Sequence, residues 1–190
     1  TLGSERPTSS LIGATTLLSI LGQETIHVLF LYLGVHTLMS QSWYCPFNPE
    51  DVDLSKGWLL EGNPLSTTLF LVVSPQYMIS AVSFGFGAQF HQPVYKNFFL
   101  VGYFCALLGF LMYLAMGAPS VVTETFRIAT STNVVGLPDV PMPQAFQQRL
   151  VLLMLLDMLA VLVFEFLVVA GPLRALVRRR FHKDQLRLRL

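Results

Sequence analysis

Four blocks of this chain are almost free of charge, and each is about as long as a helix must be to cross a bilayer, roughly 20 residues. They fall at 17–38, with an apolar lead-in from Leu11, and at 65–87, 98–117 and 150–171. The third, FFLVGYFCALLGFLMYLAMG, has no ionised residue at all. The fourth runs into Gly171-Pro172, a pair that ends helices because glycine tolerates the terminal turn and proline cannot continue it. Polar residues interrupt the other two: Gln23, Glu24 and His27 in the first, Ser74-Pro75-Gln76 in the second. The pattern predicts an all-α integral membrane four-helix bundle, one domain over residues 1–190, with a basic tail at 172–190.

Composition agrees with that pattern and excludes others. Of 190 residues 53% are hydrophobic and 12% charged, against about 25% charged in soluble domains, and mean hydropathy is +0.59. A formal net charge of +1 offers nothing to a nucleic acid, so no nucleic-acid partner is expected. The chain opens at Thr1, with no basic stretch and cleavage site of a signal peptide, and reads as a piece of a longer protein.

Orientation follows from the basic residues, which concentrate on the cytosolic side of membrane proteins. With both termini cytosolic, Arg6, Lys96, Arg174, Arg178, Arg179, Arg180, Lys183, Arg187 and Arg189 face inward, nine of the 12, leaving Lys56, Arg127 and Arg149 outside. Trp43, Tyr44 and Trp58 then flank the outer ends of the first two spans as an aromatic belt, with Phe126 and Phe146 doing the same for the second outer loop. The Pro-interrupted stretch 134–148 is expected to be irregular. Cys45 falls in an outer loop and Cys105 inside a span, too far apart in depth for a disulfide. The tail carries Arg178, Arg179, Arg180 and Lys183, an orientation signal that also suits an anionic cytosolic leaflet as partner.

Candidate chemistry lies in the spans, where an ionisable group is costly enough to need a reason. Gln23, Glu24 and His27, three and four residues apart, are expected to share one helical stripe. Asp157 and Glu165 are eight apart, about 80° around a helix. Gln76 follows Pro75, whose missing N–H frees the Leu71 carbonyl. These six polar residues, Gln23, Glu24, His27, Gln76, Asp157 and Glu165, either line a cation or proton path or bond helices together, and for Glu165 an interfacial place is a third reading. His27 and His36, about 900° of turn apart, face opposite ways and do not make a haem pair. Gly102, Ala106 and Gly109 form a small-residue strip that another helix could approach. Neither cysteine has a second cysteine beside it for a metal site, and no metal or cofactor site is expected in the chain itself. The chain also lacks G-x-x-x-x-G-K-[ST], G-x-S-x-G and H-E-x-x-H, so a catalytic role of its own has no motif behind it.

Several runs nevertheless look familiar. Gln76-Tyr77-Met78-Ile79, and then Phe90-His91-Gln92-Pro93-Val94-Tyr95-Lys96-Asn97, resemble the C-terminal membrane region of fifth-subfamily P-type ATPases, in their polyamine-transporting endolysosomal branch. Arg6-Pro7, Trp43, Pro46 and the Asp157/Glu165 pair fit in the same order. Pro75 stands where the family has Phe, and Asp157 where it tends to Asn; Phe84 and His91 lie near positions of a family Lys and Arg. The resemblance implies the seventh to tenth membrane helices of a pump exporting polyamines or cations from the endolysosomal lumen to the cytosol. It implies ATP and Mg2+ as cofactors of the full-length protein, the remaining membrane helices as partners, and a late endosomal or lysosomal membrane. The phosphorylated D-K-T-G-T, the T-G-E loop and the nucleotide domain of the family have no counterpart in these residues. The alternatives are a self-contained four-span adaptor or small channel, and a small membrane enzyme built on Glu24, His27 and Asp157.

Overall fold

A computed structural model describes residues 14–46, 63–84, 96–129 and 142–169. Its elements are α1 (Ala14–Met39), α2 (Pro64–Phe84), α3 (Phe98–Met116), the short α4 (Val121–Thr125) and α5 (Gln144–Phe164), which continues into one π-helical turn (Glu165–Val169). No strand occurs among the described residues, and four helices are long and apolar enough to cross a membrane.

Local chemistry sets the helix ends. Asn63 accepts from the Ser66 amide at 2.7 Å, with Pro64 in the first helical position where its missing N–H costs nothing. Asn97 caps α3 in the same way through the Leu100 amide, at 3.2 Å. Ser120 and Thr123 close a capping box on α4. Pro143 precedes α5, so helix replaces the irregular backbone expected up to residue 148, and the fourth span starts at Gln144 rather than 150. The amides of Phe146 and Gln147 reach the Pro143 carbonyl there, and proline just ahead of a first turn favours the helix. Pro75 sits buried inside an unbroken α2, so Ser74-Pro75-Gln76 does not end the helix. The end of the second span beyond Phe84, the link 85–95, Trp58, and the tail with Arg178, Arg179, Arg180 and Lys183 lie outside the described residues.

α1, α2 and α5 pack against one another, and α3 joins at the side against α2 and α5. Contacts of α1 residues 23, 27 and 34 with α2 residues 83, 80 and 72 have nearly constant number sums, so the two helices run antiparallel. His27 meets Asp157 and Gln23 meets Glu165, which makes α1 and α5 antiparallel too.

The bundle is divided along its length. Its loop end is apolar, with Leu38, Leu71, Val72, Leu111, Leu114, Phe146, Leu150 and Met154 buried together. The stretch after α3 closes over this end: the Ala129 amide donates to the Thr67 hydroxyl at 2.8 Å, and Phe126 packs on Phe110 and Phe70. Phe146 is a core residue rather than a belt residue, meeting Trp43 edge-on at 5.4 Å, because the early start of α5 turns it inward. Tyr44 beside it is partly buried, which, with the adjacent Cys45, holds its phenol above the usual value of 10.0. The other end of the bundle is polar inside. Around the outside, Phe98, Phe99, Tyr77 and many leucines are exposed. Apolar outside and polar inside is the arrangement of a protein whose solvent is lipid.

Candidate functional site

The polar end is built from α1, α2 and α5. On α1, Ser19, Gln23 and His27 recur every four residues and so form one inward stripe. On α2, Gln76, Ser80 and Ser83 do the same at steps of four and three. On α5, Asp157 and Glu165 both turn toward α1, an arc that a separation of eight residues allows.

His27 lies at the centre. Its Nδ1 is 3.1 Å from each oxygen of Asp157, and its Nε2 is 3.1 Å from the Ser80 hydroxyl. With the proton on Nδ1, the ring donates to the carboxylate and accepts from the serine; a protonated ring would donate to both. Asp157 is fully buried and His27 nearly so. Gln76 reaches across from α2 and donates to the His27 carbonyl at 3.0 Å, fixing the backbone that carries the ring.

Glu165 anchors the second half. One carboxylate oxygen accepts from the Gln23 amide at 2.6 Å and from the Ser19 hydroxyl, and the Gln23 amide also lies 3.1 Å from Ser19. The Ser83 hydroxyl faces the Gln23 carbonyl oxygen at 3.0 Å and the Ser80 backbone carbonyl at 2.8 Å. Glu165 is buried against α1 although it lies near the helix end. The π turn begins at this residue, and such turns re-aim side chains within a helix. Room for the approach comes from Gly22: a Cβ there would stand 2.1 Å from the Phe164 ring.

Five of the six polar candidates therefore meet: Gln23, His27, Gln76, Asp157 and Glu165. Glu24 does not. It is exposed, one residue round from Gln23, because the inward stripe follows the spacing of four through Ser19, Gln23 and His27. His36 is exposed as well, on the far side from His27. The small-residue strip of α3 also falls elsewhere than expected. Nothing lies within 4 Å of a Cβ added at Gly102 or Gly109, whereas one added at Gly34 would be 3.1 Å from Val72. The glycines that admit a close neighbour are thus on α1, Gly34 toward α2 and Gly22 toward α5. Ser19, Ser80 and Ser83 complete the network, and their spacing from Gln23 and Gln76 marks them only once the facing sides of α1 and α2 are known.

Among the described residues no group of three or more His, Cys, Asp or Glu is placed to hold a metal, and the Trp43 indole nitrogen is the one buried side-chain polar atom without a partner. Every buried side-chain polar atom of the cluster is thus matched by another. Chemically, the arrangement is a clasp that ties three helices together inside the membrane.

Long apolar helices around a hydrogen-bonded polar interior define a multi-pass membrane protein. Comparison with known proteins narrows the class. No family profile matches the chain. It is 31% identical over 144 residues to the Polyamine-transporting ATPase 13A3 of Macaca fascicularis, and 32% identical over 144 residues to that of Homo sapiens. The protein of that name from Mus musculus is 30% identical over 145 residues. In each case the match covers 67% of this chain and 12% of the relative. The chain belongs to the P-type ATPase family, as membrane-spanning sequence, and spans about an eighth of the length of the relatives it matches.

Proposed function

We propose that this chain is the C-terminal membrane scaffold of an ATP-driven pump that moves polyamines or related cations from the endolysosomal lumen to the cytosol. The relatives are named for polyamine transport, and the four spans are of the kind such a module needs. In the full-length protein, ATP and Mg2+ would be used by domains outside these residues, with an aspartyl phosphate as intermediate. Both termini would be cytosolic, the basic tail lying on the anionic leaflet through Arg178, Arg179, Arg180 and Lys183. The remaining membrane helices of the pump are its partners.

The observation that carries the scaffold role is that both buried acids of the clasp are already engaged by neighbouring helices. A cation path needs ligands that a passing ion can engage, and Asp157 and Glu165 already accept from His27, Gln23 and Ser19. Interhelical hydrogen bonds of this kind are individually modest, about 0.6 kcal/mol on average, but several acting together keep three helices in register while others move.

Sequencing the transcript upstream of Thr1 tests the assignment. A reading frame continuing into D-K-T-G-T is expected; a start codon directly before this segment would return it to the self-contained adaptor or channel. With the full-length pump in hand, polyamine uptake by Asp157→Asn separates scaffold from path. The scaffold predicts transport close to wild type, whereas transport lost with normal expression assigns the cluster to the path.

A further inference from the structure

Glu24 is the carboxylate that the clasp leaves out. It lies on α1 eight residues in from Thr16, roughly 12 Å along the span, and so within hydrocarbon depth. It is exposed and makes no hydrogen bond or ion pair among the described residues. Its neighbours on that face are apolar and exposed too: Leu17, Leu21 at 62% and Val28 at 62%. The adjacent Thr25 hydroxyl is turned back to the Leu21 carbonyl at 2.7 Å and offers it nothing.

The contrast with α3 matters. That helix is exposed along most of its length, up to 92% at Phe99, and its outward face carries no ionised group, which is what lipid tolerates. A carboxylate at the centre of a span costs about 2.5–3.5 kcal/mol on insertion scales, so a bare Glu24 against acyl chains is the expensive arrangement. The inference rests on the pump reading, under which most of the protein lies outside this segment, since the match takes up 12% of each relative.

We infer that the Leu17–Leu21–Glu24–Val28 face of α1 is an interface within the pump, covered by another membrane helix of the same polypeptide that presents a hydrogen-bond donor or a cation to Glu24. The clasp fixes the back of α1 onto α2 and α5, and this contact fixes its front onto the rest of the membrane domain. An acid at such a place makes the docking specific, because a helix without a donor would bury the carboxylate unpaired.

A photo-reactive benzoylphenylalanine in place of Val28, one turn from an intact Glu24, tests this in the full-length protein in its own membranes. Mass spectrometry of the irradiated protein is expected to find a cross-link to a membrane-span peptide outside residues 1–190, several-fold above that from the same probe in place of Phe99. Lipid adducts alone, a link within residues 1–190, or a link between two copies would each overturn the inference. A second variant reads the sign of the environment: Glu24→Leu is expected to lower the thermal midpoint of the purified pump, by leaving the partner's donor unpaired. A midpoint unchanged or raised would mean that the carboxylate had faced lipid, and would overturn it. The two failures are distinguishable. A transcript without D-K-T-G-T removes the pump reading itself, whereas a complete pump in which position 28 finds only lipid removes this contact and leaves that reading standing.

Discussion

At the scale of single residues, the interior is decided by which hydroxyls and carboxylates point across helices rather than along them. Thr25, Thr37, Thr68 and Ser74 each donate to a carbonyl four residues back in their own helix, the default for hydroxyls in a span. Ser19 and Ser83 reach side chains of other helices, and Ser80 meets His27. That difference has no local cause, which is why these serines could not be picked out before the helices were assembled. Gln23, His27, Gln76, Asp157 and Glu165 could be, since each is costly among apolar neighbours. The clasp has a direct consequence for Asp157. Asp157→Leu removes both acceptors from His27 and is expected to cost roughly 1–3 kcal/mol, seen as a lower thermal midpoint of the detergent-solubilised protein. Asp157→Asn keeps one acceptor facing Nδ1 and should lose less than half as much.

At the scale of helices, close approach depends on where small residues sit relative to neighbours. Gly102, Ala106 and Gly109 have the spacing of a packing strip, yet all three are exposed and the two glycines have nothing opposite. Gly34 has no small partner three or four residues away in an obvious motif, yet Val72 and Thr68 of α2 close on it. Gly34→Leu is therefore expected to push α1 from α2 and destabilise the purified chain by about 1–3 kcal/mol, while Gly109→Leu should leave the thermal midpoint nearly unchanged. An equal loss at both positions would mean that α3 is packed more closely than its exposure shows. Helix positions themselves were legible to within a few residues, apart from the start of α5. There a proline that looked like a loop signal serves instead as the lead-in to a first turn.

At the scale of the whole molecule, depth and sidedness make the checkable statement. With the basic tail inside, Cys45 should react with a membrane-impermeant thiol reagent added from the lumenal or extracellular side. Cys105, exposed on α3 but within the span, should stay unlabelled. Labelling of Cys45 from the cytosol, or a tag at Leu190 found on the far side, would reverse the topology. By itself the amino-acid order determined the solvent of this protein, the number of its spans and the polar residues that needed partners. All of these follow from the free energy of placing each residue in hydrocarbon, a property of residue type and run length. Only the tertiary structure decided which partners were met. The antiparallel registry of α1 with α2 and α5 sends Gln23 to Glu165 and His27 to Asp157 while leaving Glu24, one residue further round, outside. A single helix has an inward side only once its neighbours are in place, and that choice belongs to the bundle.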